Sequence, residues 1–129
     1  MSKSRGFTLI EVLVALLVLS IVITTTIAMF VERHKRLRQA NETILAYQAL
    51  SNEAEIWRRI AFAQLDSQPP TFQSDTAILA PLNPFTTAIH VDTPRPDVKS
   101  VTFTIRWANP QRTAKLSIVR ADTGGNGLW

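Results

Sequence analysis

A single carboxylate at the mouth of a charge-free apolar run limits what this chain can fold into more than any other feature. Val12 to Val31 contains no Asp, Glu, Lys or Arg. As a helix rising ~1.5 Å per residue, that run covers ~30 Å, the thickness of a bilayer's hydrocarbon layer. Glu11 stands immediately before it, behind a basic, polar start, Met1-Ser-Lys-Ser-Arg-Gly6. An ionisable side chain in such a segment costs roughly 2.5–3.5 kcal/mol on insertion scales, so it is a functional-site candidate that needs a partner. An ordinary secretory signal accounts poorly for the pattern. Its apolar region usually runs about 7–15 residues to a small-residue cleavage site, whereas this one continues through Thr24-Thr25-Thr26 to Met29-Phe30 without such a site.

Gly6-Phe7-Thr8-Leu9-Ile10-Glu11-Val12, behind Lys3 and Arg5, resembles the class III signal of type IV pilins and type II secretion pseudopilins. The resemblance implies that a prepilin peptidase on the cytoplasmic side cuts between Gly6 and Phe7 and methylates the new amino terminus of Phe7. The apolar helix then serves as membrane anchor and filament core. Implied partners are the peptidase, other pilin or pseudopilin subunits and an inner-membrane assembly platform. In such proteins the acid at the Glu11 position is taken to register each incoming subunit against its neighbour. Elementary physics gives that position its own logic. A carboxylate four residues beyond a free amino terminus lies about one helical turn from it and faces the positive end of the helix dipole. In low dielectric an ion pair is strongly unfavourable when one member is left alone, so the pair specifies register. Residues 1–6 are then a leader and 7–31 the transmembrane and filament-core helix.

The helical pattern continues over 32–66. Ala40, Ile44, Tyr47, Leu50, Ala54, Trp57 and Ala61 recur at steps of three and four, widened by Leu45, Ala49, Ile56 and Ile60, which predicts an amphipathic helix. Neither Gly nor Pro occurs between Phe7 and Leu65, and Pro69-Pro70 sets a firm stop. Related proteins often interrupt the apolar half with Gly or Pro. This chain has Ser20 and Ala28 there, and only Thr24-Thr25-Thr26 to weaken the helix. Just past the apolar run, Arg33, Lys35, Arg36 and Arg38 form a dense basic patch. It reads as a solvated face or a contact with anionic lipid headgroups; a sharper reading is contact with acidic residues of adjacent subunits. Taken alone, the patch favours the cytoplasm for that flank. The cleavage motif requires the opposite: a single-pass protein of the bacterial inner membrane with a cytoplasmic amino terminus and a periplasmic head.

Residues 67–129 read as a small β-rich head. Leu79 to Pro84 reads as a loop, and Ala88 to Val91 as a short strand ended by Thr93-Pro94-Arg95-Pro96. The clearest alternation is Val101-Thr-Phe-Thr-Ile-Arg-Trp107, with Val101, Phe103, Ile105 and Trp107 on one face. A turn at Asn109-Pro110-Gln111 leads to Ala114–Val119, where Leu116 and Ile118 continue that face, so the two strands form a hairpin. Packing one apolar sheet face on one apolar helix stripe hides both. The fold class is therefore α+β: a long amino-terminal helix, transmembrane in its first half and amphipathic in its second, against a small antiparallel sheet, like a pilin head. At roughly sixty residues the head has a thin core. Burial of Trp57, Phe103 and Trp107 is expected to carry its stability, because the chain has no cysteine. Many relatives of such proteins close a loop with a disulfide, which is impossible here. Others bind calcium. Asp122 and Asn126 do not supply ordered ligand spacing, and residues 123–127 read as a flexible tail, so no metal or cofactor is assigned.

The two histidines, His34 and His90, and the absence of a glycine-rich phosphate loop leave no catalytic motif, so no enzyme activity is expected. The formal net charge of +4 falls to +2 when Lys3 and Arg5 leave with a leader. The short head, the missing disulfide and the run Glu11–Leu16 lean toward a minor pilin or minor pseudopilin that assembles or primes a filament. Glu11 argues against the tip subunit of the pseudopilin series, which typically lacks this acid. Two alternatives remain: a DNA-binding minor pilin of a competence system, using Arg106, Arg112, Lys115 and Arg120 near the hairpin, and a plain membrane-anchored periplasmic domain.

Overall fold

A computed structural model describes residues 6–108 and 112–123. The chain divides into two compact units, residues 1–39 and 40–129. Helix α1, Leu9–Arg58, contributes to both. Five further segments follow: short 3-10 helices at Phe62–Ser67 and Ala77–Leu82, then strands β1 (Phe85–Arg95), β2 (Val98–Trp107) and β3 (Arg112–Ala121). The turn at Asn109-Pro110-Gln111, residues 1–5 of the leader and the tail from Gly124 onward lie outside the described residues.

In the first unit α1 is exposed along its whole apolar stretch; Leu13, Leu17, Ile21 and Ile27 are each more than half exposed. The hydroxyls in that stretch do not need an outside partner. Ser20 Oγ donates to the Leu16 carbonyl at 2.7 Å, and Thr24, Thr25 and Thr26 donate to the carbonyls of Ser20, Ile21 and Val22 at 2.9, 2.8 and 2.7 Å. Back-bonding of this kind lets a polar side chain sit in hydrocarbon without an unsatisfied group. The Thr24–Thr26 run therefore stays helical.

In the second unit the three strands form one antiparallel sheet in the order β1-β2-β3. The hairpin predicted from alternation is present: β2 pairs β3 with Val101 opposite Ile118, Phe103 opposite Leu116 and Ile105 opposite Ala114. Val101, Phe103, Ile105 and Trp107 are buried, and Trp57 is fully buried beside them. Trp57 meets Phe103 edge-to-face with ring centres 5.8 Å apart, and Phe72 meets the same ring at 6.4 Å. Such contacts add roughly 0.5–1.5 kcal/mol to area burial.

The observed architecture is the expected α+β arrangement, with four differences of detail. The buried face of α1 is Ala46, Ala49, Leu50, Glu53, Ala54 and Trp57, whereas Ile44 and Tyr47 remain 63% and 47% exposed. The seam keeps the predicted Ala49, Leu50, Ala54 and Trp57 and gains Ala46 and Glu53 in place of Ile44 and Tyr47. Three alanines on it admit the neighbouring core side chains closely, and a glutamate within it hid the periodicity. Second, α1 ends at Arg58 and not near Leu65. The last turn tightens, with Arg59 and Ile60 N–H donating to the carbonyls of Ile56 and Trp57, and Ala61 is extended. This break lets Leu65, fully buried, turn into the core. Third, the segment predicted as a loop at Leu79–Pro84 is largely 3-10 helix, because Leu79 and Leu82 must face the core. Fourth, β1 is an eleven-residue strand and includes Pro94. Proline is tolerated there because β1 is an edge strand whose register shifts between Asp92 and Arg95.

Charged side chains hold these pieces together. Lys99, only 7% exposed on the inner face of β2, donates to the Phe62 carbonyl at 2.9 Å, pairs with Asp66 at 2.7 Å and stands 4.5 Å from the Phe62 ring centre. It clamps the first 3-10 helix to the sheet. Arg120 donates to the Trp57 carbonyl at 2.9 Å, adding a second donor to an acceptor at the end of α1 that also takes the Ile60 N–H. Arg112 pairs with Glu42 at 3.1 Å, donates to Thr43 Oγ1 and lies over the Trp107 ring, while Trp107 Nε1 donates to Glu42 at 3.2 Å. The Arg112–Glu42 pair is partly buried. A double-mutant cycle on Arg112→Ala and Glu42→Ala is expected to give a coupling of about 1 kcal/mol, more than a fully exposed pair usually yields.

Candidate functional site

The amino-terminal site is built on the first turn of α1. Gly6, Phe7 and Thr8 precede the helix, which starts at Leu9. Thr8 and Glu11 form a reciprocal pair: Thr8 N–H donates to Glu11 Oε2 at 3.2 Å, and Glu11 N–H donates to Thr8 Oγ1 at 3.3 Å. This is a capping box, in which a hydroxyl and a carboxylate three residues apart each satisfy one orphan backbone donor. The carboxylate also lies at the positive end of the helix dipole. The sequence reading singled out Glu11 and missed Thr8, although the spacing Thr-x-x-Glu ahead of an apolar run is the visible signature of this cap.

Phe7 is 86% exposed, and a β-carbon placed on Gly6 would meet nothing within 4 Å. Among the described residues nothing packs so closely that it demands glycine at that position. A glycine that the fold does not require is one that an external reader of the chain can require. Beyond the cap, α1 is the helix among the described residues that is long and apolar enough to cross a membrane, and none of its apolar window is buried within the protein.

These observations meet an independent comparison. The profile of the prokaryotic N-terminal methylation motif matches residues 1–27. The match supports a place in the type IV pilin and pseudopilin family. The match covers the cap, Glu11 and most of the apolar run, and supports processing by prepilin peptidase, membrane anchoring through α1 and assembly with other pilin-type subunits. No curated protein and no solved structure matches the chain significantly, so residues beyond the motif must be read from their own geometry.

The basic patch and the hairpin cations fare differently in that geometry. Arg33, Lys35, Arg36 and Arg38 all lie exposed on α1 just beyond the apolar run. The four cations near the hairpin divide by strand alternation. Arg112 and Arg120 lie on the inner face and bind Glu42, Thr43 and the Trp57 carbonyl, while Arg106 and Lys115 lie exposed on the outer face. Two of the four are therefore occupied in holding the head to α1, which weakens the DNA-binding alternative. No cluster of His, Cys, Asp or Glu suited to a metal is present among the described residues.

Proposed function

We propose that this pilin-type protein is a minor pilin or minor pseudopilin of the bacterial inner membrane, with its amino terminus cytoplasmic and its head periplasmic. It is cut between Gly6 and Phe7, methylated on the Phe7 nitrogen, and enters or primes a filament through α1. Its mechanism is assembly, not chemistry. The observation that carries this reading is the methylation motif over residues 1–27 running straight into a helix whose apolar surface is left exposed by the described residues. The head supports it by its economy: a three-stranded sheet on six buried residues of one helix, stitched by ion pairs and not by a disulfide. Glu11 then meets the amino terminus of a neighbouring subunit, which makes the ion pair a test of register.

Intact-mass measurement on protein from membranes, with and without prepilin peptidase, tests the reading. The expected result is loss of Met1 to Gly6 plus one methyl group on Phe7, seen only when the peptidase is present. An uncut chain in the presence of active peptidase would leave a plain membrane-anchored domain.

A further inference from the structure

We propose that Arg33, Lys35, Arg36 and Arg38 form a girdle that binds anionic phospholipid headgroups where α1 leaves the membrane, fixing the depth of the subunit before it assembles. The proposal rests on α1 being a membrane anchor; it does not depend on which side of the membrane the head occupies.

The first argument is angular. Successive helical residues turn by ~100°, so relative to Arg33 the side chains of Lys35, Arg36 and Arg38 stand at ~200°, ~300° and ~140°. All four are exposed. The cations thus stand around the helix, with the widest gap, ~140°, between Arg33 and Arg38. A neighbouring protein helix contacts one side; headgroups contact every side. The second argument is axial. Met29 and Phe30, 75% and 58% exposed, lie about one turn below Arg33. A shallow depression on the helix surface is lined by both of them together with Glu32, Arg33 and Arg36. It offers apolar surface to an acyl chain and guanidinium groups to the phosphate above it. Arginine's planar fork suits that phosphate. The third argument is charge. Arg36 is paired with Glu32 at 3.1 Å and Arg38 also has an interaction within the chain, but Arg33 and Lys35 have no ion pair with a described residue, so the girdle keeps a positive excess toward its surroundings. Basic side chains beside an anionic surface are attracted within a Debye length of it.

The test uses the full chain reconstituted in vesicles of phosphatidylcholine alone or of equimolar phosphatidylcholine and phosphatidylglycerol. Insertion is read by resistance to alkaline extraction, and lipid preference by native mass spectrometry of the lipids retained. The expected result is insertion in both vesicles with selective retention of phosphatidylglycerol, weakened by salt. A charge-conserving variant, R33K/R36K/R38K, keeps a preference for phosphatidylglycerol. A neutral variant, R33Q/K35Q/R36Q/R38Q, inserts but loses it, by roughly fivefold per cation removed. An inserted wild-type chain that holds both lipids equally, or an inserted neutral variant that keeps the wild-type preference, overturns the girdle. Alkaline release of the wild-type chain from both vesicles instead overturns the membrane anchor itself.

Discussion

Replacing Glu53 by Ala is expected to destabilise the head by about 3–5 kcal/mol, the range typical of removing one partner from a buried charged network. Glu53 is fully buried. Its carboxylate accepts from Trp57 Nε1 at 2.8 Å, from Gln73 N–H at 2.9 Å and from Ser74 N–H at 2.8 Å. One side chain thereby fixes the ring at the centre of the core and pins the 73–74 loop to α1. Truncation leaves three donors without an acceptor, each costing roughly 1–3 kcal/mol unless water reaches it. Against a stability of about 5–15 kcal/mol for an ordinary domain, that loss leaves a head of this size near its limit. Glu53→Gln keeps the shape and one oxygen but turns an amide toward N–H donors, so an intermediate loss of roughly 1–3 kcal/mol is expected. Urea unfolding of the full chain in detergent micelles, followed by tryptophan emission, reads both. A Glu53→Ala protein within about 0.5 kcal/mol of wild type, the scatter of ordinary surface substitutions, would show that the network carries no stability.

Glu53 also shows where sequence reading stops. Alternation in β2 located its inner face correctly because every inner residue from Val101 to Trp107 is apolar. The predicted stripe of α1 held four of the six buried positions, Ala49, Leu50, Ala54 and Trp57, but missed Ala46 and the glutamate and added the exposed Ile44 and Tyr47. Lys99 is the same case in the sheet, where it continues the inner face of β2 past Val101 as a charge. Periodicity treats a charged residue as outward-facing, and only tertiary partners such as Gln73, Ser74, Phe62 and Asp66 reverse that. The early end of α1 has a similar cause. Nothing local between Arg58 and Leu65 breaks a helix, and the break at Ala61 is imposed by the need to bury Leu65. Propensity yields to packing when the two conflict.

The amino-terminal motif and its apolar helix were far more legible, because their determinants are local. Length and apolarity identify the membrane-grade helix, and Gly6, Phe7 and Glu11 are contiguous with it. The capping box went unread although its two partners are only three residues apart. Its presence means that the Glu11 carboxylate has an intramolecular partner before any neighbour arrives. Removing Glu11 therefore disturbs two things, the start of a helix and a charge, and a single Ala substitution cannot separate them.

Three variants can. Glu11→Ala loses both, Glu11→Gln keeps an acceptor that serves a capping box but has no charge, and Thr8→Val keeps the charge and loses the hydroxyl half of the cap. Loss of a cap costs roughly 0.5–2 kcal/mol of local helix stability, a small amount for an α1 that is fifty residues long. On the proposed reading, loss of the charge leaves a neighbour's terminal ammonium unpaired in low dielectric, which is strongly unfavourable. If register is the function of Glu11, both Glu11→Ala and Glu11→Gln proteins are cleaved and methylated as wild type yet are nearly absent from filaments sheared from cells and blotted. Thr8→Val proteins are cleaved and incorporated close to normally. Normal incorporation of Glu11→Gln would move the function of this residue from its charge to its cap. Loss of incorporation in Thr8→Val alone would do the same from the other side. The two arms rest on the same hydrogen-bonded pair at the head of α1, but only one depends on a second subunit.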